Sequence, residues 1–111
     1  AAGVSELLMA TLGQLQAGLD GTGELGQFLF DRCKEYLHGN FNTLKVIWDI
    51  AVPALFIEPE AFFSEIIPTP ILHEDLTWSN EPGRHEMRII RYLDHRCVFR
   101  SLFHALREEN L

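Results

Sequence analysis

The chain has 111 residues, a net charge of −7 and a pI near 5.1, with 47% hydrophobic and 23% charged residues. Those fractions belong to a folded protein and exclude disorder throughout. The acidic balance excludes the electrostatic footprint of a nucleic-acid binder, and no apolar run approaches the about 18–20 residues of a membrane span. Neither nucleic acid nor a membrane is therefore expected as a partner.

Residues 1–10 lack the basic start of a signal peptide, and Glu6 interrupts their apolar stretch. Leu8, Leu12, Leu15 and Leu19 follow the spacing of one helix face. Ser5 is the expected cap of that helix, and Gly21 and Gly23 punctuate its end. A second helix is expected over residues 24–37, with Leu25, Phe28, Leu29, Cys33, Tyr36 and Leu37 on its apolar stripe. Gly39 is placed to stop it, and "HGNFNT" reads as a loop.

"KVIWDIAVPALF", residues 45–56, reads as a segment bound for the interior, except for Asp49 beside Trp48. Residues 44–48 approach a third helix over about 50–57, with Asp49 as its N-cap residue type. Pro53 falls where a missing N–H costs little, and Glu58-Pro59 ends the helix. "PEAFF" suits one more short helical turn. Beyond it, "EIIPTPILHEDLTW" leans towards β, although Pro68 and Pro70 restrict it to an edge or extended segment. "NEPGR" (80–84) is a turn, "HEMRIIRYL" a second strand, and Asp94 caps a last helix carrying Phe99, Leu102, Phe103 and Leu106.

Three helices, two strands and a helix make an awkward self-contained domain, because two strands form a weak sheet alone. The expected architecture is therefore α/β, a single segment spanning 1–111 of a layer protein whose main sheet lies elsewhere. Within it this segment is mainly helical, with two short strands.

Several constellations carry little chemistry. Cys33, Cys97 and five scattered histidines lack the paired spacings of a zinc site. The two cysteines form no disulfide framework, which favours a reducing, cytoplasmic setting. There is no G-x-S-x-G elbow around any serine. "GTGELG" (21–26) meets the spacing of a dinucleotide fingerprint but joins helix to helix. Glu58 with Glu60, and Glu74 with Asp75, sit in polar loop contexts that suit solvent exposure. The five arginines between Arg84 and Arg100 alternate with Glu86 and Asp94, as on a solvated mixed face.

Trp48-Asp49 has two readings. One is an N-cap aspartate preceded by a core tryptophan. The other is a carboxylate compensated by a hard cation such as Ca²⁺, which takes oxygen ligands often supplied by aspartate, beside an indole that offers a flat face to a ring-shaped ligand.

The stretches "LGQFLFDRCKEYL", "KVIWDIAVPALFIEPEAFF", "PTPIL" and "TWSNEPGRHEMRIIRYLDHRCVFRSLFHAL" together resemble the C-terminal part of the nucleoside hydrolases, the inosine–uridine-preferring N-ribohydrolases. The most specific pieces are the Trp-Asp pair at a helix start, "GRHEMR" and "LDHRCVFRSLF". The resemblance implies an open, mostly parallel-sheet α/β fold, one Ca²⁺ at the carboxyl ends of the strands, and cleavage of the N-glycosidic bond of a ribonucleoside. Asp49 matches the family's late calcium ligand. Trp48 matches the preceding position, which in some members holds an acid for the leaving base and in others an aromatic that stacks on it. The indole N–H is not a usable acid, so the implied role is stacking. Ribose cleavage passes through oxocarbenium character. The family's calcium holds the ribose hydroxyls and acidifies a bound water, and an aspartate takes the proton.

The family's D-x-D-x-x-x-D-D motif, which supplies the general base and most calcium ligands, is absent from these 111 residues. Asp49 alone cannot complete a calcium shell. The chain is thus expected to be inactive alone and to pair with the rest of a hydrolase domain or a second chain, and the resemblance allows a homo-oligomer. The alternative is a small non-catalytic interaction domain that binds a partner protein through its helices.

Overall fold

Residues 2–109 are described by a computed structural model. A short helix, α1 (Ala2–Ser5), precedes strand β1 (Met9–Thr11) and helix α2 (Leu12–Leu19). The leucine spacing therefore crosses two elements. Leu8 lies in the extended approach, while Leu12, Leu15 and Leu19 ride on α2, and all four are buried. Ser5 ends α1 and caps nothing downstream. The cap is Thr11: its hydroxyl accepts from the Gln14 N–H at 3.1 Å, and Gln14 Oε1 accepts from the Thr11 N–H at 2.8 Å. This reciprocal pair satisfies two N–H groups that a helix start leaves open.

Helix α3 (Glu24–Tyr36) forms where expected, flanked by Gly23 and Gly39 with positive φ values of 117° and 73°, but the expected stripe is only half covered: Leu25, Phe28 and Tyr36 are exposed, and Phe30, off that stripe, is buried instead. The α2–α3 corner is close. Thr22 is fully buried and its hydroxyl donates to the Leu19 carbonyl at 2.6 Å. Strand β2 (Leu44–Val46) pairs antiparallel with β1, a nonlocal ladder of three residue pairs that leaves almost no local signal. A 3-10 turn (Trp48–Ile50) then leads into α4 (Ala51–Ile57), and a second 3-10 turn (Pro59–Ala61) realises the short turn expected of "PEAFF".

The remaining strands form two nested antiparallel hairpins. Strand β3 (Phe62–Pro68) pairs with β6 (Glu86–Leu93), with a bulge between Phe63 and Ser64. Between them β4 (Ile71–Leu72) pairs with β5 (Trp78–Ser79). Six strands thus replace the two expected. Each two-stranded sheet is antiparallel, and no parallel pairing occurs among the described residues. The described residues thus form a mixed α/β fold of five helices and three small antiparallel sheets.

Helix α5 (His95–Glu109) follows β6. Asp94 caps it as expected, accepting from the Arg96 N–H at 3.1 Å, and the Asp94 N–H donates to the Ala61 carbonyl at 2.7 Å. The core lies where α2, α5 and the base of the β3–β6 ribbon meet, around Leu8, Leu12, Leu93, Val98, Phe99 and Leu106. Outside it the chain is open. Its radius of gyration is 17.3 Å, against about 13 Å for a compact domain of this length. Its accessible surface is 7853 Å², against about 6,200 Å² for a globular monomer of this mass. No helix of the described residues is long and apolar enough to cross a membrane.

Candidate functional site

The Trp48–Asp49 turn is held from upstream by the β1–β2 ladder. The Ile47 N–H donates to the Leu8 carbonyl at 2.8 Å, one step beyond the last ladder pair. Downstream it runs straight into α4, because the Ala51 N–H donates back to the Trp48 carbonyl. Pro53 sits in the first turn of α4, where its missing N–H has no partner to lose. The helix ends at Glu58-Pro59 with the Glu58 N–H on the Ala54 carbonyl at 2.7 Å.

Two expectations for Asp49 are corrected. It is not an N-cap: it lies inside the 3-10 turn, and no side-chain bond caps either that turn or α4. Nor is its carboxylate buried within this chain, since Asp49 is exposed. Its position still places negative charge in the first turn of the helical run from 48 to 57, where the backbone N–H groups favour it. Neither ion pair found among the described residues, Arg32–Glu35 and Arg91–Glu65, involves it.

The apolar neighbours are also not interior. Trp48 is 45% exposed, Ile57 67% and Phe56 81%, with Val52 exposed between them. Only Ala54 of α4 is buried, and Ile50, Ala51 and Leu55 are half-buried. The reason is geometric. Helix α4 meets α5 along one side, across an apolar crevice of about 120 Å³ between Ile50, Pro53 and Ala54 and Val98, Leu102 and Ala105. Nothing among the described residues covers the other side. Single exposed hydrophobes are ordinary, but four large ones between Trp48 and Ile57 suit an interaction surface.

As a calcium site the turn is incomplete. Ca²⁺ takes about six to eight oxygen ligands, and no group of three or more His, Cys, Asp or Glu side chains converges among the described residues. The residues present do not fit a resident ion.

A second feature was not legible as a site. The arginines of the supposed mixed face have separate fates. Arg91 pairs with Glu65, Arg88 donates to Ser64 Oγ at 2.8 Å, and Arg84 donates to the Thr69 carbonyl at 2.8 Å. Arg96 and Arg100 instead line a cavity of about 400 Å³ between α5, β1 and α2, with Arg107, His95, Phe99 and Phe103. The i, i+4, i+7, i+11 spacing of residues 96, 100, 103 and 107 was the available signal.

Near it, Asp94 and Cys97 form a coupled pair. The thiol donates to Asp94 Oδ2 at 3.4 Å. That bond, with the Arg96 and Cys97 N–H groups, holds the Asp94 carboxyl below its ordinary range, and it pushes the Cys97 thiol up. Burial pushes the Cys33 thiol up, partly offset by Lys45. Both thiols are free, and neither is a low-pKa nucleophile. Comparison with known proteins finds no matching family model, no matching curated protein and no matching solved structure.

Proposed function

We propose that this chain is the C-terminal portion of a calcium-dependent nucleoside hydrolase. On this reading it supplies one metal ligand, Asp49, and one base-stacking aromatic, Trp48, to a site completed by the rest of the domain. The observation that carries the reading is the exposed Trp48–Asp49 turn at the start of α4, whose Val52, Phe56 and Ile57 are exposed further along the helix. A carboxylate and an indole are held on adjacent residues of a turn that the described residues leave exposed. The excess surface and large radius of gyration support the same reading, since a covering layer segment needs the sheet it covers. The mostly parallel sheet belongs to that remaining part, as does the aspartate-rich motif.

In this site Trp48 binds and orients the departing base by its π-face, and Asp49 fixes negative charge at the helix start. The indole N–H does not protonate the base, because it is a donor without a usable acid range. The ribonucleoside is the substrate.

The alternative, a non-catalytic domain binding a partner protein, uses the same bare face of α4 but gives Asp49 no special part. Trp48→Ala in the complete hydrolase separates the two. Stacking on a base contributes about 1–3 kcal/mol, so kcat/KM for purine nucleosides should fall about 5- to 150-fold. A riboside with an activated leaving group should lose much less. Equal losses on both substrates remove the stacking role.

A further inference from the structure

We propose that the cavity between α5, β1 and α2 is a binding site for a phosphomonoester of mononucleotide size that carries a flat ring. This inference stands apart from the Trp48–Asp49 reading, because the cavity shares no lining residue with that turn. Three guanidiniums, of Arg96, Arg100 and Arg107, and the His95 imidazole face it, and no carboxylate lines it. In a chain of net charge −7 that is a concentrated exception. None of the three arginines belongs to an ion pair among the described residues. Arg107 gives one N–H to the Gly18 carbonyl at 3.2 Å, and Arg100 touches Cys97 Sγ at 3.5 Å, so most of their donors stay available.

The three cations outnumber the carboxylates close to them, Asp94 beside Arg96 and Glu58 beside Arg100, and so favour an anion between them. A guanidinium fork fits phosphate oxygens in a bidentate way. A phosphomonoester, near charge −2 at neutral pH, answers three cations better than a single carboxylate. The other wall is apolar: Phe99 and Phe103 stack on each other with ring centroids 5.9 Å apart, beside Met9. A volume of about 400 Å³ lies in the range of small-molecule sites. The arginines thus hold the phosphate while the aromatic wall takes the ring.

The test is calorimetric titration of the 111-residue chain with adenosine 5′-monophosphate, adenosine and inorganic phosphate as probes, repeated with Arg96→Ala and Arg100→Ala. Both arginines are exposed, so neither change removes core packing. Saturable binding of the monophosphate is expected, tighter than that of either part, weakened about tenfold by each substitution and falling with salt. Three binding results would overturn the proposal. They are no saturable binding, equal affinity for inorganic phosphate and the monophosphate, and affinity unchanged in both variants. Self-association of the chain that the two substitutions abolish would assign the face to a second copy and also overturn it.

Discussion

The Ile47 N–H donates to the carbonyl of Leu8, a residue with no exposed surface. The last residue before Trp48 is thereby tied to the centre of the core, and the turn that follows inherits that rigidity. Leu8→Ala should cost about 2–5 kcal/mol through lost burial and the cavity left behind. Urea unfolding measures the cost. Amide exchange at Ile47 should accelerate beyond that of α3, whose backbone has no hydrogen bond to Leu8. A loss under about 1 kcal/mol would mean that the ladder holds the turn without Leu8.

Gly18 faces the Phe103 ring so closely that a Cβ built there would overlap it. Gly18→Ala should therefore destabilise the α2–α5 packing by about 1–3 kcal/mol. Gly13→Ala, on the same helix, meets nothing nearer than 3.9 Å and should be neutral or slightly stabilising. Equal thermal midpoints for the two variants would contradict this packing.

The Asp94 carboxyl is held low by the Cys97 thiol and by backbone N–H groups of α5. A carboxyl whose folded value lies below its unfolded value contributes stability that is complete above the ordinary carboxylate pKa and is lost as the pH falls through the lowered one. Asp94→Asn should therefore flatten the acid limb of the stability profile while leaving an effective cap type in place. The same change removes the main cause that raises the Cys97 thiol. Iodoacetamide should then alkylate Cys97 faster at pH 8 than in the parent chain, with Cys33 unchanged as the internal reference. Identical rates would show that the bond does not govern the thiol.

Much of the fold could be read from the sequence where the signal is local. The helix expected over 24–37, the Asp94 cap and the strand expected over "HEMRIIRYL" correspond to α3, α5 and β6, although Leu25, Phe28 and Tyr36 of the expected α3 stripe are exposed. The Leu8–Leu19 spacing misled because an extended approach and a helix can bury leucines on one side in turn. The Thr11-x-x-Gln14 capping box marked the true start and was the better signal. Strands β1 and β2 depend on a nonlocal pairing with no turn chemistry between them. The site was legible only in part. Residue types pointed to Trp48 and Asp49, but apolarity does not say whether a side chain is covered by its own chain, and here Phe56 is not. The row of arginines on α5 was hidden by reading charges along the chain instead of around the helix.

The central claim is that Asp49 becomes a metal ligand once the rest of the domain is present. Calcium titration calorimetry on the complete protein, beside its Asp49→Ala variant, tests this proposal most directly. Losing a group that only supports a ligand already costs about 10- to 100-fold in metal affinity, so the loss of Asp49 itself should exceed that. Calcium affinity unchanged by Asp49→Ala would contradict the claim.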